Sequence, residues 1–267
     1  MNLIKQQIAT RIKCWNENLS DRLHRSGAST RQLNSEAISK IKSSGFVVME
    51  NFKTEDWCDT TRNDIENILI NHSSHVWIDE HGSDHRIFGA ENGSNHISSF
   101  YTDPTCQQIG ESYLATRLYN HMTLAAKLEA SMANLGSGGG WHRDSTYEHQ
   151  FKAILYLSDV NENNGPFQFV TRSHTTQNVL KTIGYGQNNN RYSHDEIEML
   201  CSKHKWKIET FTAKKGTLIL VDTKGLHRGM PILESHRFAL TNYYIGDYKK
   251  ERFEKYFQNL KKLPPLE

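Results

Sequence analysis

The sequence predicts a mainly β fold with flanking helices, built on a double-stranded β-helix, or jelly roll. Three observations carry that expectation. Short apolar segments recur between turns from about residue 122 onward, and Asn164-Gly165-Pro166 and Lys215-Gly216 supply turn chemistry between them. A chain of 267 residues with 36% hydrophobic content can also bury one sizeable core.

A helical part is expected first, over residues 1–121. Apolar periodicity predicts a helix over residues 2–24 and a second in "NSEAISKIKSSG", capped by Asn34 or Ser35 and stopped by Gly45, before a strand "FVVME". "KTEDWCDTTRNDIENILINH" then reads as an amphipathic helix with Trp57, Ile65, Ile68 and Leu69 on one face. Residues 72–106 are rich in His, Ser, Asp, Asn and Gly and read as a long loop. Its position and length suggest a substrate cover with Arg86, Asn95 and His96 as contacts, and its polarity favours a small polar substrate. His72, His75, His81, His85 and His96 share no repeated ligand spacing and read as solvent-exposed.

The jelly-roll core is expected at about residues 122–247. Its strands are "TLAAKLEASMANL", "FKAILYLSDV", "GPFQFV", "WKIETFTA", "GTLILVD" and "HRFALTNYYIG", interrupted by a helix "SHDEIEMLCSKH" with Ser193 as N-cap. A last helix over residues 248–261 ends before Pro264. With no internal repeat and no long linker, residues 1–267 read as a single domain.

Charge narrows the partners. Lys+Arg 32 against Asp+Glu 30 gives a net charge of +2 with no long run of one sign, so neither nucleic acid nor an anionic membrane is expected. Cys14, Cys58, Cys106 and Cys201 lie far apart without C-x-x-C spacing, which fits free thiols in a reducing compartment. The N-terminus has no apolar signal core and nowhere do 18 apolar residues run together, so a soluble cytoplasmic protein acting on a small molecule is expected, its oligomeric state open.

The chemistry concentrates in "SGGGWHRDSTYEH", residues 137–149. In a chain with 14 histidines, His-x-Asp carries little weight by itself. On a strand, however, His142 and Asp144 would point to one face and could converge on an ion. A third ligand is then needed, and His227 is the best candidate, following the apolar strand and turn of "GTLILVDTKGLHRGMP". Two imidazoles and one carboxylate on one face of a metal leave positions open, the geometry of non-haem Fe(II) oxygenases. Ten residues on, Arg237 shares a strand face with Ala239, Thr241 and Tyr243 while Phe238 and Leu240 take the other. A buried guanidinium needs an anion, and a dicarboxylate ligand would supply one.

These residues resemble the phytanoyl-CoA dioxygenase-like branch of the Fe(II)/2-oxoglutarate-dependent oxygenases. The likeness runs over roughly residues 125–245 through "WHRD", "FKAILYLSDV", "NNGPFQFVTRSH" and "HRGMPILESHR". It implies a cupin-like core, iron held by His142, Asp144 and His227 as the catalytic centre, and 2-oxoglutarate held by Arg237, with Tyr156 and Asn134 as further contacts. Dioxygen would be the other co-substrate, and the expected reaction is hydroxylation of a small metabolite or biosynthetic intermediate with release of succinate and carbon dioxide. Gly229 stands where some members carry a serine toward 2-oxoglutarate, and "TRSH" replaces their "PGSH" turn, which leaves His174 as a turn residue. Asp144 stands where related halogenases have a small residue, so oxygenation is favoured. Two other readings remain open on the residues themselves: a binding barrel that keeps the metal site without turnover, and a zinc-dependent hydrolase with the same ligands.

Overall fold

A computed structural model describes residues 3–24 and 34–265. Helices α1 (Leu3–Leu23) and α2 (Ser35–Ser44) lead into strand β1 (Phe46–Met49) and helix α3 (Glu55–Asn71). Then come β2 (Val76–Ile78), β3 (Asp84–Phe88), α4 (Asn95–Tyr101), α5 (Pro104–Leu114), β4 (Leu118–Glu129), β5 (Phe151–Tyr156) and β6 (Phe167–Val170). The chain ends through α6 (Thr176–Lys181), α7 (His194–His204), β7 (Ile208–Phe211), β8 (Leu218–Asp222), β9 (His227–Gly229), β10 (His236–Gly246) and α8 (Lys250–Tyr256).

The helix ends follow capping chemistry. Thr54 accepts from the backbone N–H of Trp57 to open α3, and Ser193 and Glu196 form a reciprocal capping box at α7. Gly45 closes α2 with φ +100° and its N–H on the Ile41 carbonyl. Asn34 differs from expectation: it precedes α2 in a left-handed conformation and forms no side-chain cap.

Two antiparallel sheets face each other, one of seven strands in the order β1-β8-β5-β10-β4-β3-β2 and one of three in the order β7-β6-β9. Strand alternation sorts the side chains. Leu218 and Leu220 of β8 join Phe238 and Leu240 of β10 against α2 to α5, whereas Ile219, Val221 and Ala239 pack with Phe167, Phe169 and Phe211 between the sheets. This is the jelly-roll arrangement expected from the strand pattern, with α2 to α5 on the outer face of the larger sheet.

The structure corrects several details. Residues 72–106 are not one loop: β2 and β3 extend the large sheet, with β3 paired to β4, and α4 and α5 follow. Strands β1, β2 and β3 thus bring the N-terminal third into the sheet. The strand expected at 123–135 begins at Leu118 and stops at Glu129, and the last helix is shorter than 248–261. Strand β10 pairs with β4 and β5, not with the His227 strand β9, so Arg237 and His227 confront each other across the sandwich.

Candidate active site

A cavity of about 1030 Å³ opens between the sheets. His142, Asp144, His227, Arg237, Tyr156 and Arg86 line it. Residues 142–144 lie in a connection rather than a regular strand, yet His142 is pinned beside His227 by reciprocal backbone hydrogen bonds, His142 N–H to His227 O at 2.9 Å and His227 N–H to His142 O at 2.8 Å. That short bridge ties the connection bearing His142 to strand β9 bearing His227.

The three ligand candidates converge. Asp144 Oδ1 lies 3.7 Å from His142 Nε2 and 3.9 Å from His227 Nε2, and one ligand atom from each residue falls within 4.8 Å of the others. Nδ1 of His142 donates to the Gly140 carbonyl at 2.8 Å and Nδ1 of His227 to the Gly225 carbonyl at 2.9 Å. Carbonyls only accept, so both Nε2 atoms present lone pairs to the shared point. Burial, and then the neighbouring His142, push His227 down to about 3 despite Asp144, and burial lowers His142 as well. Neutral imidazoles and an ionised carboxylate are the protonation states a divalent ion requires.

Lys152 on β5 adds a feature the sequence reading missed. Its Nζ sits 2.6 Å from Asp144 Oδ2, the oxygen turned away from the histidines, and 4.2 Å from the centre of the Tyr243 ring. Burial works to raise the Asp144 carboxyl, but Lys152 first, and then the two histidines, hold it well below the usual carboxylate range. Lys152 thereby leaves Oδ1 alone to face the histidines. A single-oxygen ligand keeps more positions of the ion open.

The glycine run packs against His142. Gly138 has φ +88°, and a Cβ there would stand 2.4 Å from His142 Cε1. Gly138→Ala is therefore expected to displace the imidazole and weaken divalent-metal binding at least about tenfold, read by calorimetric titration with Fe(II) under anaerobic conditions. Arg143, between the ligands, points away from the metal site: it is buried, donates to the Lys224 carbonyl at 2.9 Å and contacts Thr182 Oγ1 at 3.3 Å.

Arg237 lines the cavity and is 5% exposed. Its Nη1 donates to the Gly165 carbonyl, its Nε has no partner, and among the described residues no carboxylate forms a salt bridge with it. Tyr156 also lines the cavity; its hydroxyl accepts from Phe167 N–H, donates to Phe211 O and lies beside the Arg237 guanidinium. Arg86 reaches the cavity as well, held by Asp84 through two bonds at 3.0 and 2.6 Å.

The other candidates lie elsewhere. Asn134 uses its amide on Ser131 O and Ile232 O and its carbonyl on the N–H groups of Gly136 and Ile232, so it builds the turn. Asn95 and His96 begin α4 away from the cavity lining, and His96 pairs with Asp64 of α3.

A jelly roll with two histidines and one aspartate converging on one point of its cavity carries a facial-triad metal site. The chain belongs to the phytanoyl-CoA dioxygenase (PhyH) family, whose profile matches residues 41–237. Among solved structures it resembles the non-haem α-ketoglutarate-dependent carbocyclase SnoK from nogalamycin biosynthesis, at 18% identity and TM-score 0.64, covering 91% of this chain and 97% of SnoK. EctD from S. alaskensis, solved with bound Fe, aligns at 15% identity and TM-score 0.64 over 84% of this chain and 80% of EctD. HygX from Streptomyces hygroscopicus, solved with nickel and 2-oxoglutarate, aligns at 15% identity and TM-score 0.58 over 81% and 88%. No curated protein matches the chain. Among the described residues no helix is long and apolar enough to cross a membrane.

Proposed function

We propose that the chain is a non-haem Fe(II)/2-oxoglutarate-dependent dioxygenase that hydroxylates a C–H bond of a small metabolite or biosynthetic intermediate. The observation that carries this reading is the pairing of a converged His142–Asp144–His227 triad with a buried, anion-seeking Arg237 in one cavity. Zinc could use the same three ligands, but a hydrolase has no need of that guanidinium.

His142, Asp144 and His227 would hold the ion and Arg237 the far carboxylate of 2-oxoglutarate. When bound, iron and 2-oxoglutarate supply the oxidising chemistry: dioxygen, 2-oxoglutarate and substrate give succinate, carbon dioxide and the hydroxylated product. The protein's share is orientation and exclusion of water. Lys152 fixes which Asp144 oxygen would face the ion, the Nδ1 bonds fix both imidazoles, and Phe167, Ile154 and Leu124 supply apolar wall. The four unpaired cysteines support a reducing, cytoplasmic setting.

The test is aerobic turnover of 2-oxoglutarate to succinate, dependent on Fe(II) and ascorbate. Full activity on a hydrolysable substrate with zinc under anaerobic conditions would overturn the reading. Arg237→Ala is expected to raise the 2-oxoglutarate requirement about 10- to 100-fold, the range for losing a hydrogen bond to a charged group, while iron binding holds. Steady-state KM for 2-oxoglutarate and anaerobic iron titration separate the two.

A further inference from the structure

We infer that the cavity continues beyond the metal into an aromatic subsite under α8, where His121 is the polar handle for a neutral substrate carrying a hydroxyl or carbonyl on an apolar or aromatic body. The inference rests on the oxygenase reading and names the substrate class for that site. It differs from the polar substrate suggested by the composition of residues 72–106.

The backbone delivers His121. Along β10, Asn242 pairs with Thr123 but Tyr244 pairs with Asn120, so β4 carries one extra residue opposite Tyr243. Such a bulge turns a side chain that strict alternation would have sent outward, and it places both His121 and Met122 opposite Tyr243. Both residues line the cavity that holds the triad. Tyr243 in turn covers Lys152, which touches Asp144, and all three line the cavity that His121 also lines.

The imidazole is an unresolved cost to the fold. His121 is 3% exposed, and neither Nδ1 nor Nε2 has a hydrogen-bond partner. Burial, and then Lys262, push it down to about 4 against the pull of Glu254, so at neutral pH it is an uncharged ring with one donor and one acceptor to offer. Buried polar groups without partners call for an explanation, and a bound ligand supplies it here.

The surroundings set the rest of the ligand. Phe257 lies over the imidazole with ring centroids 5.0 Å apart, and Phe253, Tyr256 and Leu260 line the same end of the cavity. Of the two nearby cations, Arg252 is engaged with Glu148 at 2.5 Å, and Lys262, outside the cavity lining, turns its Nζ to the His121 carbonyl at 3.5 Å. Helix α8 contributes no buried residue and Tyr256 is 80% exposed, so this wall is lightly packed and can shift to admit a ring.

The experiment uses the Fe(II)- and 2-oxoglutarate-loaded protein under anaerobic conditions, with 2-naphthol, naphthalene and 2-naphthoate as probes in calorimetric titrations. The parent is expected to bind 2-naphthol about three- to tenfold tighter than naphthalene, the worth of one neutral hydrogen bond, and to bind the anion 2-naphthoate least. His121→Phe should erase the preference for 2-naphthol without lowering the melting temperature, because it removes an unpartnered buried group. His121→Gln should keep part of the preference, and it preserves the test if the phenylalanine variant folds poorly. No saturable 2-naphthol binding, an unchanged preference in both variants, or tightest binding of 2-naphthoate overturns the inference. Iron and 2-oxoglutarate binding are titrated separately in the parent; their absence overturns the oxygenase reading instead.

Discussion

Asp144→Ala is expected to lose iron binding by about a hundredfold or more and to abolish 2-oxoglutarate turnover. Changing residues that merely support a ligand commonly costs 10- to 100-fold in metal affinity, and Asp144 is itself the only carboxylate in the cluster. The same change strips Lys152 of its partner. That ammonium is buried at 2.6 Å from Asp144, and an uncompensated buried charge costs about 3–5 kcal/mol, a fall in melting temperature on the order of 10 °C. The two losses separate in a double variant. Asp144→Ala/Lys152→Met should recover most of the melting temperature and none of the iron binding, because the methionine fills the lysine's volume without its charge. Iron titration and thermal melting of the apo proteins check both arms. Parent-like iron affinity in Asp144→Ala would place the metal elsewhere.

The ligands and Arg237 were legible because each sits where local pattern and face agree. The alternation of Arg237, Ala239, Thr241 and Tyr243 against Phe238 and Leu240 holds in space, and His142 and Asp144 converge although they lie in a connection and not on the strand their spacing suggested. Residues 72–106 misled for a physical reason. Strand β3 is only five residues long and carries Asp84 and Arg86 toward the cavity, so its polar composition reads as loop although long-range pairing with β4 makes it a strand. Lys152 lies within an otherwise apolar strand, and nothing local reveals that Asp144 waits opposite it. His121 was hidden more deeply, since its direction depends on a one-residue bulge that only the β10 register exposes. Asn134 shows the converse: a residue expected against 2-oxoglutarate is fully engaged in a turn, which is the ordinary employment of asparagine before a glycine-rich segment.

Asp222→Ala is expected to destabilise the fold by about 3–5 kcal/mol and to weaken iron binding about 10- to 100-fold, although Asp222 touches no metal ligand. Its carboxylate is fully buried at the end of β8 and accepts from Tyr113 Oη at 2.6 Å, from His149 Nδ1, and from the backbone N–H groups of Gln150 at 3.3 Å and Lys224 at 3.0 Å. One acid thus fastens the segment after Asp144 to the segment before His227. Backbone bonds from Asp144 N–H to Thr223 O at 3.0 Å and from Thr223 N–H to Gln150 O at 2.8 Å run between the same two segments. Loosening Asp222 should therefore let the ligands drift apart. Asp222→Asn keeps the shape and two acceptor bonds and should cost less than alanine in both measurements. Acidity gives a separate signature. Burial raises the Asp222 carboxyl, but His149, and then His174 and the Tyr113 hydroxyl, hold it well below the usual range. A carboxyl depressed in the folded state stabilises fully above its unfolded value of about 4, and that contribution is lost as pH falls toward the folded value. The melting-temperature gap between parent and Asp222→Asn should accordingly be widest near neutrality and shrink steadily below pH of about 4. A gap that stays constant with pH, or alanine and asparagine variants that bind iron like the parent, would deny Asp222 its place as the tie between the two ligand segments.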